Sequence, residues 1–534
     1  MFHGQLTTYK MKKNIINIKY IGLIAILIGV SSCNDIEDVL ADNNAEIKTE
    51  VFPELTNGSV DFSNYVALGG SFTAGFTDGA LFTASQENSF PNILSKEFTK
   101  IGGGEFTQPL MNDNIGGIAL AGSQLPGSNF APRLVFGGAG PVPITSVKGP
   151  LVSSTDLAVN NLTGPFNNMG VPGAKSYHLL YDGYGNIGNL ATKTANPYFI
   201  RMASSAGATM LGDAMAKNPT FFTLSEIGGN DVLGFALSGG DGSDAITPSA
   251  GAVGVGFDAT FTYLVSVLTS TGAKGVVTNV PYITDLPHFT TVPYNPIPLD
   301  EATAGYLNST SAYGAYNAGI AQAFAYLVSV SAISQDDADA EIAKRTINFE
   351  ASSNNAVVIM DESLTDLTGI NPALVSMRQA TADDLFVLTA STFIGTEDIP
   401  GNPQTVNGVA IPLADKWVLI PSEQQAIKEA TDAYNNTIEA VANSNENVAL
   451  VDLKGILAEL ASTGIIFDNY TLNASLVTGG AVGLDGIHLT ARGYAFMANK
   501  FLEAIDTKFG SNFVASGNVA KAGDYPTNYS PLLE

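Results

Sequence analysis

"YVALGGSFTAGFTDG", residues 65–79, begins as an apolar run and then breaks into glycines around one serine. A short apolar run bounded by turn residues is how a strand covered on both faces reads, because burial on both sides removes the alternation of inside and outside. Three more stretches share this form: "TFFTLSEIGGND" (220–231), "AKGVVTNVPYI" (273–283) and "NVALVDL" (447–453). Helical patterns separate them. "FDATFTYLVSVLTSTG" (257–272) reads as a helix closed by Gly272, and Ile427, Ala430, Tyr434, Ile438 and Val441 recur at helical spacing before the last strand. Thr490 is a good N-cap for a final helix with Tyr494, Met497, Ala498, Phe501, Leu502 and Ile505 on one face. Strands alternating with helices predict an α/β sandwich around a mostly parallel central sheet.

The chain has 534 residues, 45% apolar and 14% charged, which suits a globular protein with a large core. Its formal net charge of −26 argues against nucleic acid as a partner, since phosphate binding needs a basic surface. Lys10, Lys12, Lys13 and Lys19 precede the apolar run "IGLIAILIGV" (21–30), which is too short to span a bilayer comfortably and is followed by small residues. Residues 1–32 therefore read as a signal peptide. Cys33 is the single cysteine, so no intramolecular disulfide forms. Residues 33–60 read as an acidic tether, 61–510 as the folded domain and 511–534 as an extended tail. Residues 101–165 are rich in Gly, Pro and Asn and read as long loops. Residues 285–445 exceed what a crossover needs and are expected to form an insertion or cap packed on the core.

A serine framed by Gly69, Gly70 and Gly75 is either a tight turn or a reactive hydroxyl kept approachable. The second role needs a base, an orienting carboxylate and oxyanion donors. Beyond the leader there are three histidines, His178, His288 and His488. His488 lies in "GLDGIHLTARGY" three residues after Asp485, a spacing that lets the carboxylate fold back onto Nδ1 and leaves Nε2 for the serine proton. Taken alone, a loop histidine is more often structural. Asn230 in "IGGND" (227–231) follows a strand, offers a neutral amide donor, and equally suits a plain turn. In "NNMGVPGAKS" (167–176), Gly170 and Gly173 bracket Pro172, so a backbone N–H there can face a ligand unobstructed.

The order Ser in "GGSF", Gly in "NMGVPG", Asn in "GGND" and Asp and His in "DGIH" resembles the four blocks of the SGNH/GDSL hydrolase family. "VTNVPYITDLP" (277–287) is similar to the Asn-Val-Pro-Pro strand end of its longer, lipase-like members. The resemblance implies a flavodoxin-like α/β/α fold and ester hydrolysis through an acyl-enzyme. It casts Ser71 as nucleophile and first oxyanion N–H, Gly173 as second N–H, Asn230 as third donor, His488 as base and Asp485 as its partner. No cofactor is implied. The family's Gly-Asp-Ser is Gly-Gly-Ser here, so whatever the aspartate contributes to holding the turn must come from elsewhere. "VSSC" (30–33) likewise resembles the lipobox of bacterial lipoproteins, which implies a lipidated Cys33 at a membrane surface of the bacterial envelope.

Rival patterns are poorer. An α/β-hydrolase would carry Gly-x-Ser-x-Gly, whereas "GGSFT" ends in Thr73. "VGVGFDA" (253–259) has no strand before it and is no dinucleotide loop. No His/Cys set offers a zinc site, and "SGGDGSDAIT" (238–247) lacks the spacing and closing glutamate of a known calcium loop, so no metal is expected. The expectation is thus a monomeric, lipid-anchored esterase or lipase acting on a small-molecule, lipid or glycan ester. The alternatives are a carbohydrate O-acetylesterase and a surface lipoprotein that binds glycans or lipids without turnover.

Overall fold

The computed structural model describes residues 52–159 and 161–533, so the leader, Cys33 and most of the tether lie outside the described residues. Five parallel strands form the central sheet: β1 (Tyr65–Gly69), β2 (Asn168–Gly170), β3 (Phe221–Ser225), β4 (Lys274–Thr278) and β5 (Val448–Val451), in the spatial order β2-β1-β3-β4-β5. Register brings the carboxyl ends of the first three strands level, with Gly69 opposite both Gly170 and Ser225.

Neither face of this sheet meets water. Val66, Leu68, Phe222, Leu224 and Val277 point into one core, while Tyr65, Ala67, Phe221, Val276 and Val451 point into a second. That is why apolar residues sit side by side along the strands, as in Tyr65–Leu68, Phe221–Phe222 and Val276–Val277, rather than only at alternate positions. Helices α1 (Ser71–Ala74), α2 (Phe90–Thr99), α3 (Gly229–Leu237), α4 (Phe257–Leu268), α5 (Pro421–Ser444) and α6 (Ala491–Phe509) are those that matter for the site. On one face α4 and α5 meet through stacked rings of Phe257 and Tyr434, 4.2 Å apart. On the other, α2 and α6 meet through Phe90 and Phe501 at 4.7 Å. The expected N-cap holds: Thr490 Oγ1 accepts from Gly493 N–H at 3.0 Å.

β2 is not apparent from the sequence. Its Asn-Met-Gly has no strand character, and it exists because Asn167 ties it in, donating from Nδ2 to the Tyr65 carbonyl at 2.8 Å. The last residues of the expected 33–60 tether also pack on the body: Ser59 N–H donates to the Phe509 carbonyl at 3.0 Å, and Val60 is buried.

Within 285–445, the segment up to Leu419 builds helices Tyr313–Ser329 and Gln335–Arg345 and several two-stranded antiparallel ribbons. Its buried Val358, Ile359, Phe386 and Val418 belong to the same core as Val66 and Phe222. Residues 54–534 accordingly form one compact unit. The remainder of that stretch is α5, which packs on α4 and the sheet. After α6 the chain runs without long elements but stays attached, with Phe513, Ala522 and Tyr529 buried. Among the described residues no helix is long and apolar enough to cross a membrane.

Candidate active site

β1 delivers the chain to Gly69, and the turn that follows is too crowded for side chains. A Cβ at Gly69 would fall 2.1 Å from Thr73 Oγ1, and one at Gly70 would fall 2.8 Å from Asn230 Nδ2. Ser71 then opens the single helical turn α1, which closes at Gly75 in the left-handed region (φ 84°). Ser71 is 7% exposed, and among the described residues its Oγ has no hydrogen-bond partner, yet the atom is not sealed from solvent.

A residue that the sequence reading missed holds this turn. Glu226, directly after β3, accepts from Gly70 N–H at 2.6 Å and Thr73 N–H at 3.1 Å through Oε1, and from Thr73 Oγ1 at 3.2 Å through Oε2. Its backbone sits at φ 50°. Burial pushes its carboxyl up to about 7, against the pull of those hydrogen bonds. The sequence signal was available: one acid in the apolar stretch "TFFTLSEIGG" has to be paid for by partners.

The three expected oxyanion donors come from the ends of β1, β2 and β3. Asn230, in the first turn of α3, donates one amide hydrogen to the Ala174 carbonyl at 3.0 Å, and the same nitrogen lies against Gly70. It therefore bridges the residue before Ser71 and the residue after Gly173, with its second hydrogen uncommitted. Gly173 is exposed at φ 80°, and neither its N–H nor that of Ser71 donates to any described residue. β2 comes this close because Gly170 is bare: a Cβ there would fall 2.3 Å from Ala74 N.

Asp485 and His488 share one tight turn. Asp485 Oδ1 accepts from the N–H of Ile487 and of His488, both at 2.9 Å, and Oδ2 lies 2.8 Å from His488 Nδ1. Oδ2 also accepts from Gly79 N–H at 2.8 Å, which ties the pair to the segment following Ser71. Burial raises the Asp485 carboxyl, but His488 and these donors outweigh it and hold the group well below the ordinary carboxylate range. The His488 ring packs 4.6 Å from the Phe76 ring and 5.8 Å from the Phe72 ring, so it stands over the turn that carries Ser71.

Two further residues support that turn. His288 donates from Nδ1 to the Asp485 carbonyl at 3.0 Å, and its backbone N–H donates to the Gly486 carbonyl at 3.0 Å. Burial depresses its pKa, so the ring is neutral at pH 7 and Nδ1–H is the donor. Asp78 accepts from Leu484 N–H at 2.8 Å, and burial pushes it up to about 7. His178, by contrast, belongs to the helical turn Ser176–Leu180, where its Nδ1 accepts from Lys175 N–H at 3.0 Å and its ring stacks on Tyr184 at 4.2 Å.

An apolar slot of ≈ 50 Å³ adjoins the site. Phe72 beside Ser71, and Ile487 and Leu489 on either side of His488, form part of its wall together with Leu286, Leu457 and Met497. A larger hollow of ≈ 1130 Å³ around Tyr306, Tyr313 and Tyr316 shares no residue with it. Among the described residues one carboxylate group has metal-ligand spacing, Glu362–Asp415–Glu423, and it contains none of the residues around Ser71. Compared with known protein families, curated proteins and solved structures, the chain matches none.

Proposed function

We propose that the chain is a serine ester hydrolase of the SGNH/GDSL kind, working through an acyl-enzyme. The observation that carries this reading is the Asp485–His488 hydrogen bond of 2.8 Å, with the imidazole packed on the two phenylalanines of the Ser71 turn. The strand order supports it as well, being that of flavodoxin-like sheets, in which ligands bind beyond the carboxyl ends where the order reverses. Ser71 follows β1 and Asn230 follows β3, on the two sides of that reversal.

In the proposed reaction Asp485 fixes the His488 tautomer with the proton on Nδ1, and Nε2 takes the Ser71 proton as Oγ attacks the ester carbon. The oxyanion meets the N–H groups of Ser71 and Gly173 and the free amide hydrogen of Asn230. His488 then returns the proton to the departing alcohol, and water, activated in the same way, releases the acid. The apolar slot is small and walled by aliphatic and aromatic side chains, which favours a short hydrocarbon acyl group. The start of the 285–445 segment contributes Leu286 to the slot and His288 to the Asp485 turn, which supports a role for that segment in access. Lipidation at Cys33 would hold the enzyme at the bacterial envelope.

The test is hydrolysis of p-nitrophenyl esters from acetate to decanoate, with Ser71→Ala as control and fluorophosphonate labelling located by peptide mass. The expected result is a label on Ser71 and an optimum at propionate to butyrate, each added methylene improving kcat/KM about fourfold until the slot is full. A folded protein that neither labels nor turns over any ester would leave the binding-lipoprotein reading in its place.

A further inference from the structure

Far from the glycine turn, three carboxylates converge where the 285–420 segment meets the core. Glu362 follows the strand Val358–Met360, Asp415 opens the helical turn Asp415–Trp417, and Glu423 lies in the first turn of α5. One oxygen from each falls within 4.8 Å of the others. Glu423 Oε2 caps α5, accepting from Ile420 N–H at 2.8 Å. Its other oxygen, Oε1, is enclosed and has no donor, although the residue is only 6% exposed. Asp415 Oδ1 is enclosed and without a donor too.

No lysine or arginine answers these charges among the described ion pairs. Arg378 is taken by Asp361 at 2.5 Å and Asp384 at 2.7 Å, and the Lys416 ammonium lies over the Trp417 ring at 5.1 Å. The core loop 238–247 comes up against the cluster as bare backbone. A Cβ at Gly240 (φ 81°) would fall 1.9 Å from Glu423 Oε1, and one at Gly239 (φ 67°) would fall 2.2 Å from the Asp415 carbonyl oxygen. Two buried carboxylate oxygens without donors, in a group of three, are costly unless a shared proton or a cation joins them.

We propose that Glu362, Asp415 and Glu423 form a divalent-cation site, with calcium the ion that fits. The ligand set is all oxygen, which selects hard cations. Calcium, with about 2.3–2.6 Å bonds and a flexible shell of six to eight oxygens, accepts carboxylates gathered within 4.8 Å of one another, whereas magnesium at about 2.0–2.1 Å demands a near-ideal octahedron. The Gly-Asp-Gly-Ser-Asp loop (240–244) supplies no carboxylate to this group: Asp241 accepts from Ser243 N–H at 2.8 Å, and Asp244 pairs with Lys175 at 2.5 Å. The consequence reaches the esterase site without depending on its chemistry. α3 carries Asn230 at its start and runs into Ser238–Gly240 at its end, while Lys175 ties the same loop to the Gly173 segment. A bound ion clamps this loop to the beginning of α5.

The experiment is calorimetric titration of EDTA-stripped protein with CaCl2 and, separately, MgCl2, alongside thermal unfolding with and without each salt. Glu423→Gln and Asp415→Asn are measured in parallel, with near-UV circular dichroism as the check on folding. The expected result is one calcium per chain with a Kd of about 10⁻³ M or tighter, a Tm raised by calcium, and binding weakened roughly tenfold or more in each folded variant. The wild-type titration decides by itself if a variant fails to fold. Absence of both heat and Tm shift with either salt at 10 mM would overturn the proposal, as would undiminished calcium binding in both folded variants.

Discussion

Glu226 is a buried acid that takes three donors from the turn around Ser71, one of them the N–H of Gly70. In the proposed family an aspartate would stand where Gly70 does. A side chain there would collide with Asn230, so the support arrives from β3 instead. Its charge has a cost. The carboxyl is raised from 4.5 to about 7, and Asp78 is raised from 3.8 to about 7. Between those limits the native state binds more protons than the unfolded chain at these two groups, so their contribution to stability is full below pH 4 and is lost as pH rises through 7. Thermal unfolding from pH 5 to pH 8 should show this decline. Glu226→Gln, which keeps an acceptor without the charge, should flatten its share, on the order of 3 kcal/mol at most. A Glu226→Gln variant that declines as steeply as wild type would show that this carboxyl does not titrate there. Loss of proton transfer is a different matter: Ser71→Ala and His488→Ala should each lower kcat on the order of 10⁴-fold or more, and Asn230→Ala about 10²–10³-fold. Steady-state kinetics on one short ester checks all three.

At the scale of elements, the Asp485–His488 turn depends on the short helix Pro287–Thr290 behind it. Gly486 sits at φ 74°, and a Cβ there would fall 2.8 Å from His288 N, so the two segments touch backbone to backbone. His288→Ala should leave the Asp485 carbonyl without its donor, lowering kcat about tenfold with KM little changed. A fall in KM-dependent terms instead, measured on the same esters, would place His288 in substrate binding. The sequence showed the strands β1, β3, β4 and β5, the helices α4, α5 and α6 and the Asp485–His488 spacing, because each rests on local pattern. It did not show β2, Glu226 or His288. Asn168–Gly170 becomes a strand only by pairing with β1, and Glu226 matters only because register sets Ser225 opposite Gly69. His288 reaches Asp485 across 197 positions of chain. Such contacts are products of topology, and no local periodicity carries them.

The whole molecule joins its last residues to that same turn. Arg133 is 0% exposed, and its guanidinium lies over the Phe82 ring at 5.2 Å. It donates through Nε to the Asn114 carbonyl at 2.8 Å and through Nη2 to the Ser530 carbonyl at 2.7 Å and the Leu533 carbonyl at 3.3 Å. Tyr529 packs edge-on against the same Phe82 ring at 4.9 Å and donates from its hydroxyl to the Ala84 carbonyl at 3.3 Å. Asp78 feels the charge of Arg133 and accepts from Leu484, the residue before Asp485. The end of the chain is thus linked through Arg133 and Asp78 to the loop that holds His488. Deleting residues 526–534 strips a buried cation of the tail carbonyls that Nη2 meets and leaves the Asn114 carbonyl on Nε, a loss of about 3–5 kcal/mol by the usual cost of breaking a buried charged contact. Ser530→Ala should be silent, because the acceptor there is backbone. Urea unfolding of the two variants separates them: the deletion should lower the midpoint with an unchanged slope, and ester hydrolysis should fall with it because Arg133, released from the tail, is no longer held in place near Asp78. A deletion as stable as Ser530→Ala would mean that Arg133 finds water in place of the tail, and that the body from Thr56 to Tyr525 folds without it.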